Sequence, residues 1–280
     1  MLRAYLVGAR AAAQRWPLIL ALWLIAAVFG AAFALASGVW LTDALDGSLA
    51  TRTLFRQLDA DVFVDLWYHH REGLRGLVML GLVLGAVHTI LWWWLDAVVV
   101  CAVEETSGEE HPSPWRQGLA LAPLMAQLFA LAIAALGLFT AAVGGTAYVL
   151  TRWSRESPSA TIWFQIGAVA AALWVFGYVF LMAVHDHARL RVRRSGDGAL
   201  AAYAWALRFV SGGGERAFAL ACVLQLSGLA LWGAYQAVGW SVPMNAVLDL
   251  TGLFLWSEAY LLARLWVRVW FFAAQNELQT

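Results

Sequence analysis

This chain has no lysine; all 18 of its basic residues are arginine. Charge of either sign is scarce: Asp, Glu and Arg make up 13% of 280 residues, where a soluble domain carries roughly a quarter. That scarcity excludes an ordinary water-soluble domain. The 18 acidic residues cancel the 18 basic ones, which argues against nucleic acid or an acidic macromolecule as a partner. The two cysteines, Cys101 and Cys222, both fall in apolar runs, so no disulfide framework is available. Without lysine there is also no phosphate loop: "GGGER" at 212–216 is glycine-rich and precedes an apolar run, but reads as a flexible turn. Arginine to the exclusion of lysine, in an alanine-rich chain, points to a GC-rich bacterial genome.

What is present is apolar. Hydrophobic residues make up 62% of the chain, mean hydropathy is +0.69, and 17 tryptophans suit the boundary between membrane and water. A span needs about 20 apolar residues. Six segments qualify, near 17–40, 76–101, 119–150, 161–184, 217–239 and 247–272. They leave no room for a separate soluble domain. The expectation is an all-α polytopic protein, one six-helix transmembrane domain over 1–280. Pro17 suits the opening turn of the first span.

Arginine asymmetry sets the expected orientation. With the N-terminus in the cytoplasm, Arg3, Arg10, Arg15, Arg116, Arg189, Arg191, Arg193, Arg194, Arg208, Arg216, Arg264 and Arg268 lie inside. Arg52, Arg56, Arg71, Arg75, Arg152 and Arg155 lie outside, a two-to-one bias that puts both termini in the cytoplasm of a bacterial inner membrane. "ALAS" at 34–37 resembles a signal-peptidase site and raises a competing reading of the first span. Two further stretches predict short amphipathic interfacial helices. Leu54, Phe55, Leu58, Val62, Phe63, Leu66 and Trp67 have helical spacing in the first outer loop, and 199–210 ("ALAAYAWALRFV") is bounded by Gly198 and "SGGG".

Ionisable residues in apolar surroundings are the candidates for function. In "LMAVHDHARLRVRR", 181–194, His185 and His187 point about 200° apart on a helix and cannot share an ion. Asp186 and Arg189, at i and i+3, are placed to pair as the helix leaves lipid. Asp61, Asp65 and His69 share one helix face in the outer loop, a possible divalent-metal set whose plainer reading is a solvated face. Within the membrane, Gly81, Gly85, His88, Trp92 and Asp96 fall in an arc of about 80°, and the glycine pair invites a neighbouring helix. Comparing depths in the second and sixth spans predicts a buried polar cluster of His88, Asp96, Glu258 and Arg264, with His88 meeting Glu258 and Asp96 meeting Arg264.

Several stretches together resemble a broad group of uncharacterised bacterial six-helix integral membrane proteins, loosely akin to the membrane domain of some glycerophosphodiester phosphodiesterases. They are the outer "LFRQLDAD", the "DHARL" of 186–190 with the following "ALRFV", and "LLARLWVR" at 261–268. "SGGGER" departs from the proline-containing turn of that group. The resemblance implies architecture and no reaction. No nucleophile–base arrangement, cofactor set or metal set with zinc spacing is readable, so the chain is not read as an enzyme. The leading expectation is a structural or accessory module of the envelope or of lipid handling. Its expected partners are membrane lipid and a membrane or ATPase subunit. The alternative is a permease subunit or ion-coupled transporter using His88, Asp96 and Glu258. An intramembrane hydrolase is the remaining rival.

Overall fold

The computed structural model describes residues 2–45, 64, 67–104, 113–154, 160–212, 215–241 and 247–279. Among them there is no strand, and these described residues are helical almost throughout. In order the helices are α1 (Leu2–Gln14), α2 (Trp16–Leu45), α3 (Arg71–Glu104), α4 (Pro114–Trp153), α5 (Ala160–Ser195), α6 (Ala199–Ser211), α7 (Glu215–Ser241) and α8 (Val247–Gln279).

Five of these, α2, α3, α4, α5 and α7, are long and apolar enough to cross a membrane. They correspond to five of the six expected spans. The 40 residues of α4 rise about 60 Å against a hydrocarbon core of about 30 Å, so this helix extends well beyond one bilayer crossing. The sixth expected span lies in α8, where Glu258, Arg264 and Arg268 interrupt the apolar run, and this helix is not among the five.

Local chemistry explains the helix boundaries. Pro114 opens α4 at a position whose N–H has no intrahelical partner, and the Ser113 carbonyl accepts from Arg116 and Gln117. After α5, Gly196 takes φ +68, a conformation glycine enters without steric cost, and its N–H closes on the Val192 carbonyl at 3.1 Å. The turn delivers α6, which packs on α5 and α4 through the small stripe Ala199, Ala202, Ala206 and Val210.

The described helices fall into two compact units. One comprises Met1–Gln14, Trp93–Ser227 and Val267–Thr280, and it holds most of the buried core: Leu95, Val98, Leu128, Val184, Leu190, Leu220, Leu224, Val269 and Phe272 among others. The other comprises Arg15–Trp92 and Gly228–Trp266; Ile19, Leu22 and Leu265 are buried in it, while Val28, Leu82, Ile90 and Leu229 are among its large exposed apolar residues.

In the first unit α1 is sealed against α8. Gly8 leaves no room for a side chain, since a Cβ there would stand 2.6 Å from the Ala274 nitrogen. Trp270 donates its indole N–H to the Tyr5 carbonyl at 2.8 Å, and the Tyr5 hydroxyl meets Ser227 at 3.2 Å. The residues ahead of the first expected span therefore include a helix of the core.

Candidate functional site

Three helices of the first unit carry polar residues in register. On α3, Asp96 and Glu104 are two turns apart; on α5, Asp186, Arg189 and Arg193 follow at i, i+3 and i+7; on α8, Arg268, Gln275 and Gln279 share one stripe. The stripes face one another and form a polar ladder.

Its first rung is Asp96, which is 2% exposed. One carboxylate oxygen, Oδ2, receives Arg189 Nη2 at 3.1 Å. The other, Oδ1, receives Arg268 Nε at 3.0 Å and a second contact from Arg268 Nη2. Arg189 also reaches Asp186 Oδ1 at 3.4 Å and lies over the Phe272 ring, 5.8 Å from its centroid. Asp186 Oδ2 accepts from Gln275 Nε2 at 3.3 Å. Two carboxylates and two guanidinium groups thus balance in charge, with the partners supplied by three helices.

The second rung is more open. Glu104 meets Arg193 at 3.6 Å and Arg194 at 3.3 Å. Arg193 also donates to Gln117, and Arg194 donates to Asn276 Oδ1 at 2.7 Å. At the turn beyond, Arg191 meets Asp197 at 2.9 Å and lies over the Trp205 ring. Hydrogen bonds from Ser195 and Arg191 hold the Asp197 carboxyl below its ordinary value.

In the stretch 181–194 both histidines are buried. His185 is 3% exposed and His187 fully buried, and α5 continues through Ser195. His187 Nδ1 contacts the Gln279 amide at 2.7 Å, and its ring packs on Phe209. Both His185 ring nitrogens and the Tyr203 hydroxyl lack a hydrogen-bond partner among the described residues. Burial pushes the Tyr203 hydroxyl up from its usual value. Asp186 and Arg189 are paired, as their spacing suggested, within the packed unit.

The expected cluster of His88, Asp96, Glu258 and Arg264 does not form as drawn. Asp96 is held by Arg268, one turn further along α8 than Arg264, and by Arg189; Arg264 is exposed. Comparing only the second and sixth spans hid the arginine from α5. Within the second unit, Glu258 accepts from Trp23 Nε1 at 2.7 Å, and His88 lies between the rings of Phe29 and Trp92, at 5.4 and 5.3 Å. Glu258 and His88 therefore do not pair. An indole N–H on α2 satisfies the carboxylate that imidazole was expected to meet. Gly81 approaches Phe33, but Gly85 faces open space, so the glycine pair does not seat a helix backbone.

Of the outer-loop set, Asp61 and Asp65 lie outside the described residues and His69 inside them. Among the described residues no group of three His, Cys, Asp or Glu side chains is placed to hold a metal ion. Both oxygens of Asp96 are engaged by arginine, so it is neither a free base nor a free ligand. What this arrangement does chemically is neutralise charge between helices in a setting where an unpaired charge is costly. Comparison with protein-family models, with curated proteins and with solved structures finds no match to this chain.

Proposed function

We propose that this chain is an integral protein of the bacterial cytoplasmic membrane that acts as a structural or accessory module of the envelope or of lipid handling, and not as an enzyme. In this reading it crosses the membrane six times, with residues 2 and 279 on the cytoplasmic side. α8 is the sixth span, and α6 lies in the inner headgroup layer. Two contacts make α8 tolerable in lipid: Trp23 covers Glu258, and Asp96 neutralises Arg268.

One observation carries the structural reading. Asp96 has an arginine from a different helix on each carboxylate oxygen, which makes it an internal clamp and leaves it no acceptor for a substrate. Gentle extraction of the tagged protein from its native membrane, followed by mass spectrometry of what co-purifies, tests it. Recovery with lipid alone supports an independent module. A stoichiometric ATPase would instead make the chain a permease subunit.

The transport alternative is favoured by a separate observation. Glu258 has a single hydrogen-bond donor, an indole, and no basic partner among the described residues. An intramembrane carboxylate so lightly held is what an ion-coupled carrier would use. Loss of uptake in Glu258→Gln, with the fold intact, would support transport over the structural module.

A further inference from the structure

We infer that the outer face of α1 is a docking surface for anionic phospholipid headgroups of the cytoplasmic leaflet. The inference rests on the reading of α2 as a membrane span. It goes beyond that reading by giving the preceding helix an occupant.

The inner face of α1 is taken. Ala4, Gly8 and Ala12 are buried, Gly8 lies against Ala274, and Tyr5 is held by Trp270 and Ser227. The opposite face is divided into two sectors. At about 100° per residue, Leu2, Leu6, Ala9 and Ala13 fall within an arc of about 60°, and Arg3, Arg10 and Gln14 occupy the next. Leu2 is 69% exposed and Leu6 59%, high values for leucine on a helix whose other side is packed. Arg3 and Arg10 are exposed and make no hydrogen bond or ion pair among the described residues.

An apolar sector beside a basic one, on a helix of 13 residues and about 20 Å, is too short to span a bilayer and has the form of a helix lying at its surface. Trp16 follows two residues later and is 62% exposed at the start of α2, where a tryptophan belongs at the headgroup level. Leucines shallow in the acyl boundary and arginines among anionic phosphates satisfy both sectors together. A neutral lipid surface would satisfy only the first.

The test uses the full chain with Cys101→Ala and Cys222→Ala, carrying one environment-sensitive fluorophore through Leu6→Cys or Val28→Cys. Each protein is reconstituted in phosphatidylcholine vesicles with and without phosphatidylglycerol, and with nitroxide lipids that quench at the headgroup or deep in the acyl region. Position 6 should be quenched by the shallow nitroxide in vesicles containing phosphatidylglycerol. That quenching should fall in pure phosphatidylcholine, in high salt, and in Arg3→Gln/Arg10→Gln. Position 28, on the exposed side of α2, should be quenched by the deep nitroxide in every case. If position 6 is equally open to aqueous iodide in both lipids, or if unlabelled Leu6→Cys protein cross-links at position 6 to a second copy, the inference is overturned while position 28 still marks α2 as a span. If position 28 is not quenched by the deep nitroxide, the membrane reading itself has failed.

Discussion

Replacing Asp96 with asparagine removes one negative charge and leaves two guanidinium groups facing a neutral amide. Breaking a buried ion pair from one side costs about 3–5 kcal/mol, because the remaining charge stays desolvated. The two arginines share that cost unequally. The Arg189 side chain is 10% exposed and keeps only Asp186 at 3.4 Å, whereas the Arg268 side chain is 33% exposed and, near the proposed cytoplasmic end of α8, is long enough to reach the headgroup layer. The expectation for Asp96→Asn is therefore about 3 kcal/mol, at the lower end of that range, or roughly a hundredfold in the folded-to-unfolded ratio. Arg189→Gln strands parts of both Asp96 and Asp186 and should cost about the same. Arg268→Gln leaves Asp96 with Arg189 and should cost about 1 kcal/mol. The double variant Asp96→Asn/Arg189→Gln should fall short of the summed single costs by about 1–3 kcal/mol, since the two residues belong to one network. The assay is reversible unfolding of the full chain in mixed micelles by sodium dodecyl sulfate, followed by tryptophan fluorescence. The reasoning fails if Asp96→Asn unfolds at the wild-type detergent fraction, or if Arg268→Gln proves the most damaging of the three.

Other expectations follow from single contacts. Gly8→Leu forces a side chain where even a Cβ stands 2.6 Å from the Ala274 nitrogen; it should cost about 1–3 kcal/mol and speed amide exchange across α1 in a mass-spectrometric exchange experiment. Trp23→Phe removes the donor to Glu258 and should cost about 1 kcal/mol in the same detergent titration, the usual scale of a hydrogen bond between membrane helices. Asp197 has a carboxyl value below that of the unfolded chain, so its stabilisation is present above about pH 4 and fades as pH falls through the folded value. Thermal melts should accordingly show wild type above Asp197→Asn near neutrality, with the gap closing in acid.

The helices were legible because apolar run length is a strong signal. The segment expected at 161–184 became Ala160–Ser195, and the one at 119–150 became Pro114–Trp153. In both cases polar ends remained helical because other helices of the unit cover them: His187 packs on Phe209, and Gln117 accepts from Arg193. The site was only half legible. Asp96 stood out as an acid in an apolar run, but its partner on α5 lies 93 positions away, and nothing periodic links the two until the helices are packed. Arg264 and Arg268 are one turn apart on α8, and depth counted from uncertain span ends cannot choose between them. α1 was missed for a different reason. Its buried face is alanine and glycine, residues that contribute almost nothing to an apolar periodicity, although they are what allows the close approach to Ala274. A small residue at every fourth position, Ala4, Gly8 and Ala12, was the available signal.

That approach of α1 to α8 also has a meaning in time. Tyr5 and Trp270 are separated by 265 positions, and a ribosome adding about 5–20 residues per second needs roughly 13 to 53 seconds to travel between them. Throughout that interval the stripe of Ala4, Gly8 and Ala12 has emerged and its partner has not. The basic outer face of α1 can meet a membrane surface at once, while the inner face must wait. A nascent chain stalled before Trp270 would therefore display an uncovered small-residue stripe, a visible mark of incomplete synthesis that the finished protein conceals.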